Sequence, residues 1–424
     1  MELEKYRDPV HGFIEVRPLE TKIINSPPFQ RLRNIKQLAM TNYVYHGAEH
    51  SRFGHSIGVM HLVTKAFRSV INNNAYSNFA STPKIEWHEQ ILRLIALTHD
   101  LGHAPFSHAS ESLFPNNLKH EDMTEKVIKQ TVVGKYIGEI GKEFVKKFGE
   151  NFDITPELIC NIYRGKDAGE NSEFVFLNTF MDSELDCDKM DYLLRDSLYC
   201  GVNYGKFDLE RLISCLTVYI QDSIPRLALE YGGIQAFEEF VLARYFMFVQ
   251  VYFHRTRRYF DITLARILEK ILPNGIYPED VEDYLKWYDN SVIQLIKQHA
   301  TSNDDCKRII ERIVFSCVLE SKTHPQDGDK RLFESLKKRI IRRFGKELFI
   351  EDYSADKMPH KIPAKVDIDD EKAIIIIDKK TNQPSTISNE SHIISSLTEK
   401  INIQRLYVCK EKQCEVHEYI ENEY

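Results

Sequence analysis

The sequence of 424 residues lacks an apolar run of about 18 residues, the minimum length of a membrane-spanning helix. Candidates such as Ala373 to Ile377 have only the length of a β-strand. The first residues, Met-Glu-Leu-Glu-Lys-Tyr-Arg, also lack the apolar segment of a secretory signal peptide. We therefore expect a cytoplasmic protein with no membrane segment.

Paired cysteines and a net positive charge are missing as well. The eight cysteines include no Cys-x-x-Cys pair, so neither a zinc ribbon nor a secreted disulfide framework fits, and we expect free thiols. The formal net charge of −7 disfavours adhesion to nucleic acid or to an anionic membrane, both of which require a basic surface. An anionic ligand must therefore meet a local cluster of basic residues.

What is present is the composition of an ordinary globular protein, with 42% hydrophobic and 28% charged residues. Apolar residues recur every three or four positions in most of the chain, which predicts helices. The pattern is clear from Glu89 to Asp100 and after His55, and we extend it to Asp208–Ile220 and to Ile234–Leu272. The sequence therefore predicts a mainly α fold.

The pattern changes near the C-terminus, where Ala373 to Ile377 and Leu406 to Val408 are typical of strands. We predict a catalytic core with its N-terminal segment over residues 1–272, a helical extension over 273–349 and a small α+β region over 350–424.

The densest chemical signal is the segment from Thr98 to His108, which contains three histidines and an aspartate. An apolar helix leads into His99 and Asp100, after which Gly102 and Pro105 break it. Adjacent side chains on a helix point about 100° apart, so these two can hold one ion only at a helix end, together with ligands from other helices.

Two further ligands are available in the sequence. His55 opens an apolar helix, and Asp188 lies in another. Imidazole and carboxylate ligands suit Mn, Fe, Zn, Ni or Co, and more weakly Mg. Four protein ligands leave positions open for water and a phosphate oxygen, as metal-assisted hydrolysis requires. A single histidine is more often structural than a ligand, but this combination has little use as core alone.

Several separated motifs resemble, in their order, the HD-domain superfamily and specifically its deoxynucleoside triphosphate triphosphohydrolase branch. The likeness runs from about Asp8 to Ile271, with the HD motif region over about residues 48–200. It rests on Asp8-Pro9-Val10-His11-Gly12, Phe29-Gln30-Arg31-Leu32-Arg33, Lys36-Gln37-Leu38, Arg52-Phe53-Gly54-His55-Ser56, the His99-Asp100 segment and Asp188 to Asp196. The resemblance implies an HD-domain helical core with extra helices.

The resemblance also assigns residues to roles. The implied metal ligands are His55, His99, Asp100 and Asp188. Residues that match the reaction centre are His103, Glu111, His120 and His108, the last being the best candidate to protonate the leaving oxygen. Implied phosphate contacts are Arg52, Lys189 and Tyr192. Implied contacts to the sugar 3′-hydroxyl are Gln37 and Asp196, with Leu38 packing nearby.

Helical spacing supports part of this assignment independently. Asp188, Lys189, Tyr192 and Asp196 are spaced i, i+1, i+4 and i+8, so on a helix they form a stripe about two turns long, the right length for a nucleotide. The alternative is a solvated amphipathic face.

A second basic element contains Arg255, Arg257 and Arg258, whose guanidinium groups match polyphosphate oxygens. They could equally be surface cations paired with carboxylates. Arg258 is favoured as a substrate contact, although the better-known triphosphohydrolases have an aromatic ring there, so selectivity for deoxyribose stays open. Asn25 replaces the carboxylate that reads guanine at the activator site of tetrameric members, so a nucleotide activator is possible but not implied.

The sequence thus predicts an enzyme that hydrolyses (deoxy)nucleoside triphosphates to nucleoside and tripolyphosphate through attack of a metal-bound water on the α-phosphorus. Family members form dimers or tetramers, and we expect a homo-oligomer. One alternative is an HD-type phosphodiesterase or nucleotidase acting on another nucleotide. Another is a nucleotide-sensing HD protein whose metal site is vestigial.

Overall fold

The computed structural model describes most of the chain. The described residues are 3–72, 76, 80–165, 172–221, 223–353, 357–363, 366–370, 373–381 and 383–423, without the side chains of His108, Ser172 and Glu423.

The described part of the chain is mainly helical, as predicted. Its α-helices are α1 Pro18–Ile24, α2 Pro27–Arg31, α3 Arg52–Asn72, α4 Thr82–Thr98, α5 His120–Gln130, α6 Val132–Phe148, α7 Pro156–Tyr163, α8 Ser172–Asn178, α9 Cys187–Cys200, α10 Leu209–Ser214, α11 Ile234–Met247, α12 Arg255–Ile271, α13 Val281–Tyr284, α14 Asp289–His299, α15 Asp304–Ile310, α16 Asp327–Phe344, α17 Ile387–Glu390, α18 His392–Ser396 and α19 Gln413–Glu423. None of these described helices combines the length and the hydrophobicity that crossing a bilayer requires.

The described strands form three small sheets. The strands are β1 Glu4–Asp8, β2 Gly12–Val16, β3 Leu216–Gln221, β4 Ile224–Glu230, β5 Ser316–Glu320, β6 Phe349–Tyr353, β7 Ile375–Ile377, β8 Pro384–Thr386 and β9 Gln404–Val408. The hairpin β1–β2 stands alone, the second sheet has the order β3-β4-β7-β8, and β9 lies between β5 and β6 in the third.

Helix α3 lies at the centre of the fold and packs along both α4 and α9. The apolar residues that repeat along α3 and α4, among them Val59, Leu62, Leu92 and Ile95, are at most 1% exposed. Burial of these stripes holds the three helices together, because each apolar side chain removed from water contributes roughly 1.5–3 kcal/mol. This packing brings the N-terminal ends of α3 and α9 to the C-terminal end of α4.

Two helical predictions need correction. Residues Leu216–Gln221 form β3 instead of continuing the predicted Asp208–Ile220 helix. Val218, Tyr219 and Ile220 favour a strand once β4 supplies a partner, and register pairs Val218 with Leu227. The stretch Ile234–Leu272 is interrupted: α11 passes into a π-helical turn, Phe248–Tyr252, before α12 begins.

The C-terminal α+β prediction is confirmed at both quoted strands, since Ile375–Ile377 and Gln404–Val408 are β7 and β9. These strands do not form a sheet among themselves. β7 pairs in parallel with β4, and β9 pairs with β5 and β6. The proposed boundaries at residues 272 and 349 stay predictions.

Candidate functional site

The four predicted metal ligands meet where three helix ends converge. His55 lies in the first turn of α3, and His99 and Asp100 directly follow α4. Asp188 lies in the first turn of α9, whose start is fixed by the Asp186 carboxylate accepting the Lys189 backbone N–H at 2.8 Å. The local sequence therefore sets each helix end, and packing of the helices brings the ends together.

The distances suit a single ion. Ligand atoms of His55, His99 and Asp100 all lie within 4.8 Å of one another. Asp188 Oδ1 lies 2.9 Å from His55 Nε2 and 3.6 Å from His99 Nε2. Ligands held about 2.1 Å from an ion and at right angles are roughly 3 Å apart, so these separations fit one coordination sphere.

The two histidines are oriented for coordination through Nε2. His99 donates from Nδ1 to the Ala96 carbonyl at 2.7 Å, and His55 Nδ1 lies 2.8 Å from Asp191 Oδ2. Such contacts fix the tautomer and leave the Nε2 lone pair for a metal. His99 Nε2 is buried and has no hydrogen-bond partner among the described residues. A borderline cation with nitrogen and oxygen ligands would satisfy it.

Electrostatics favour a positive charge between these side chains. Burial raises the pKa of Asp100, but the Arg52 guanidinium and the neighbouring imidazoles hold it well below its usual range. Burial likewise raises the pKa of Asp188, but its contacts with the His55 and His99 imidazoles outweigh burial and hold the pKa below its usual range. Both carboxylates therefore stay ionised at neutral pH and attract a cation.

The site opens on one side. The side chains of His55 and Asp100 are 1% and 4% exposed, whereas that of Asp188 is 32% exposed. The accessible side of the site is therefore the side of Asp188, on α9.

Three of the predicted reaction-centre residues lie beside the metal ligands. His103 Nε2 lies 3.2 Å from Asp100 Oδ1, and the His103 ring stacks on the His120 ring with centroids 4.0 Å apart. His120 Nδ1 in turn lies 2.6 Å from Glu111 Oε1. Burial, Arg52 and His120 hold the pKa of His103 well below its usual range, so its imidazole is neutral. The His108 side chain lies outside the described residues.

The loop after the metal ligands is held in an unusual backbone conformation. Phe106 and Ser107 adopt φ values of 58° and 51°, in the left-handed region. The Phe106 N–H donates to Asp289 Oδ1 at 2.9 Å, and Ser107 Oγ accepts from Arg52 Nε at 2.8 Å. Arg52 Nη1 donates to Asp100 Oδ2 at 2.6 Å. The predicted phosphate contact Arg52 thus holds the predicted metal ligand Asp100 in this structure.

The predicted stripe lies along α9, but its members differ in their surroundings. The Lys189 ammonium contacts Asp186 and the Ser183 carbonyl. Burial raises the pKa of Tyr192 to about 12. Asp196 is 1% exposed, and its Oδ1 lies 2.7 Å from His50 Nε2.

The predicted sugar contacts are linked through His50. The Gln37 backbone N–H donates to the His50 carbonyl at 3.0 Å, and the His50 ring contacts Asp196. Gln37 Oε1 is buried and has no hydrogen-bond partner among the described residues, so it can accept from a ligand hydroxyl. Leu38 is 7% exposed and belongs to the core.

The predicted substrate contact Arg258 is paired with a carboxylate. Its guanidinium donates to Asp352 Oδ1 at 2.6 Å, and Asp352 on β6 is 1% exposed. This is the alternative that the sequence left open for the arginine cluster. A role for Arg258 toward substrate stays a prediction.

The fold places Tyr252 and Arg244 next to the stripe, and neither is predicted there from the sequence. Tyr252, at the end of the π-helical turn, donates to Asp196 Oδ2 at 2.7 Å, and its ring lies 6.3 Å from that of Tyr192. Arg244 Nη1 donates to Glu184 at 3.0 Å, and Tyr192, Glu184 and Asp186 raise its pKa against the lowering effect of burial. The sequence feature that could have indicated Arg244 is its position as a lone arginine in the largely apolar helix α11.

Comparisons with known proteins agree with this geometry. Residues 52–195 match the HD domain family, and residues 207–404 match the HD associated region. Uncharacterized protein YwfO of Bacillus subtilis is 30% identical over 97% of this chain and 93% of its own length. Deoxynucleoside triphosphate triphosphohydrolase SAMHD1 of Gallus gallus is 26% identical over 73% of this chain and 54% of its own length.

A solved structure agrees as well. A phosphohydrolase from Bacteroides thetaiotaomicron superposes with a TM-score of 0.71 at 25% identity, covering 96% of this chain and 100% of its own. The chain therefore belongs to the HD-domain superfamily of phosphohydrolases, and within that superfamily it is similar to the deoxynucleoside triphosphate triphosphohydrolase branch.

Proposed function

We propose that this protein hydrolyses a (deoxy)nucleoside triphosphate at the α-phosphorus and releases nucleoside and tripolyphosphate. One observation carries the proposal: α9 joins a metal-type ligand set at Asp188 to a hydrogen-bonded polar site at Asp196, two turns away. A nucleotide lying along α9 would place its phosphate at the first site and its sugar at the second.

The reaction breaks the bond between the α-phosphorus and the 5′-oxygen and forms one between the phosphorus and a water oxygen. His55, His99, Asp100 and Asp188 would hold a divalent cation. Such a cation polarises a phosphate oxygen and lowers the pKa of water. Arg52 keeps Asp100 in place through its 2.6 Å contact, so the ligand set is oriented before substrate arrives.

The leaving 5′-oxygen needs a proton. We assign this step to His108, as the sequence indicates. The second candidate is His120, because Glu111 lies 2.6 Å from its Nδ1 and can stabilise the imidazolium. His103 is less suited to donate, because its pKa lies well below its usual range and its ring is neutral.

The sugar would be recognised at the other end of the stripe. Gln37 Oε1 can accept from a 3′-hydroxyl, and the Tyr252 hydroxyl donates to the Asp196 carboxylate oxygen that His50 does not contact. Tyr192 would form the wall between sugar and phosphates. A buried acceptor left unpaired costs about 1–3 kcal/mol, which favours a ligand that supplies a hydroxyl at Gln37.

The test is a product analysis with purified protein, each dNTP and NTP, and Mn²⁺ or Mg²⁺. Chromatography and phosphorus NMR should detect nucleoside and tripolyphosphate in equal amounts. Asp188→Ala should abolish turnover, and Asp182→Ala, at an exposed aspartate just before α9, should not. Orthophosphate or pyrophosphate as the first product, or no turnover of any triphosphate, would refute the proposal.

A second candidate is an HD-type phosphodiesterase or nucleotidase. It is favoured by the pairing of Lys189 with Asp186 and of Arg258 with Asp352, which leaves less positive charge for a triphosphate. Nucleoside monophosphates and cyclic or linear dinucleotides in the same assay distinguish the two. Activity that survives Asp188→Ala would instead indicate a nucleotide-sensing protein. We also propose that the protein forms a homo-oligomer, which light scattering tests directly.

A further inference from the structure

A buried network of charged groups stands behind the metal ligand His55. Asp191 is fully buried on α9, and its Oδ2 lies 2.8 Å from His55 Nδ1. Arg195, one turn further along α9, donates to both Asp191 oxygens at 2.8 and 2.9 Å. The Asp191 carboxylate is therefore held rigidly, and its orientation decides where His55 Nε2 points.

The N-terminal hairpin supplies the remaining contacts of this network. His11, in the turn between β1 and β2, places Nε2 2.6 Å from Asp191 Oδ1. Asp8, at the end of β1, accepts from Arg195 Nη1 at 2.9 Å. The turn thus contacts both members of the Asp191–Arg195 pair, although it lies about 180 residues away in the sequence.

Hydrogen bonds within the turn fix the position of His11. Asp8 Oδ1 accepts from the backbone N–H groups of Val10 and His11 at 2.8 and 3.0 Å, which closes the turn. The His11 ring also packs against His61 of α3, with centroids 5.5 Å apart. Asp8 therefore both shapes the hairpin and anchors it to α9.

Helix α3 leaves room for this network at one position. A Cβ on Gly58 would lie 2.0 Å from Asp191 Oδ1 and 2.4 Å from Arg195 Nη2. Only glycine allows the two charged groups to pass this close to α3. The absence of a side chain at Gly58 therefore leaves room for the Asp191–Arg195 pair between His55 and the hairpin.

We propose that the turn of the N-terminal hairpin sets the metal affinity of the site, with His11, Asp8 and Asp191 as positioning residues for His55. The inference rests on the metal site of the proposed function. Contacts to a metal-ligating histidine typically change metal affinity by about 10- to 100-fold. Because coupling between two sites is reciprocal, metal binding should in turn protect the hairpin from opening.

The test uses the full-length protein and Mn²⁺. Free Mn²⁺ measured by electron paramagnetic resonance gives the dissociation constant. Hydrogen exchange of amides in residues 4–16, with and without Mn²⁺, reports hairpin opening. His11→Phe keeps a ring against His61 but removes the contact to Asp191, and should weaken Mn²⁺ binding about tenfold. Arg7→Gln is the matched control, because Arg7 lies over Phe13 on the exposed face of the same hairpin.

A second variant covers the case in which His11→Phe does not fold. Asp8→Asn keeps one oxygen for the two turn amides and loses the charge facing Arg195, so it should also weaken Mn²⁺ binding. Melting followed by circular dichroism identifies the folded variants. Addition of Mn²⁺ should slow exchange of the hairpin amides in the wild-type protein and less so in these variants.

The outcomes separate this inference from the proposed function. Wild-type Mn²⁺ affinity in folded His11→Phe and Asp8→Asn overturns the inference, even when the wild-type protein hydrolyses nucleotides. A wild-type protein that binds no Mn²⁺ overturns it too. Weakened binding in both variants, with no nucleotide turnover in the wild-type protein, supports the inference and refutes the proposed function.

Discussion

Gly102 gives a direct test of how closely the loop after His99 and Asp100 must pack against α5. A Cβ at this position would lie 2.2 Å from the His120 carbonyl oxygen and 2.2 Å from the Thr124 amide nitrogen, both backbone atoms of the first turns of α5. Reaching an ordinary contact distance of 3.4 Å requires a shift of 1.2 Å, the difference between the two values. In Gly102→Ala, α5 must therefore move away from the loop that follows the metal ligands.

The expected losses follow from this shift. Overpacking of a buried contact costs about 1–3 kcal/mol of unfolding free energy. Because α5 carries His120, a displacement of about 1 Å should also lower turnover on the order of 100-fold. Urea denaturation measures the first quantity, and nucleotide hydrolysis at saturating Mn²⁺ measures the second.

Gly138→Ala is the matched control. Gly138 lies in α6, and a Cβ there would meet nothing within 4 Å. Alanine in a helix is favoured over glycine by roughly 0.5–1 kcal/mol, so this variant should gain stability and keep its activity. If Gly102→Ala keeps wild-type stability and turnover, the reasoning is refuted, because α5 then moves without a loss of unfolding free energy or activity.

Three further predictions concern other contacts. Tyr252→Phe removes the hydroxyl bonded to buried Asp196, so it should lower stability by about 1–3 kcal/mol and raise the KM for nucleotides about tenfold; an unchanged KM contradicts this. Burial lowers the pKa of His88 to about 3. Because the unfolded chain then binds the proton more tightly, the free energy of unfolding should fall by up to roughly 5 kcal/mol as pH drops from about 6.5 to 3. In urea titrations of His88→Gln, the unfolding free energy should depend less on pH over this range. Arg258→Gln leaves buried Asp352 without its closest cation and should lower stability by about 3 kcal/mol; a raised KM at wild-type stability would instead support substrate binding.

The parts of the site that the sequence predicts best are those determined by local structure. His99 and Asp100 end an apolar helix, and a helix must end where Gly102 and Pro105 follow. Helical spacing along α9 likewise predicts that Asp188 and Asp196 share a face. Such inferences need only the geometry of one helix.

The parts that the sequence does not predict depend on distant partners. The orientation of His55 is set by Asp191, 136 residues away, and the strand Leu216–Gln221 exists because β4 pairs with it. Tyr252 reaches Asp196 because the helical run breaks into a π-helical turn, and no proline or glycine marks that break. Tertiary contacts override local periodicity at each of these positions.

The same distinction applies to the basic residues that were expected to bind phosphate. Arg52 pairs with Asp100, 48 residues along the chain, and Arg258 pairs with Asp352, 94 residues along. A cation that already has a buried carboxylate at hydrogen-bond distance offers little net charge to a triphosphate. We therefore expect polyphosphate binding along α9 to depend on a cation at the predicted ligand Asp188 more than on these arginines. Its affinity should follow metal occupancy more closely than ionic strength, because salt screens buried charges less than exposed ones.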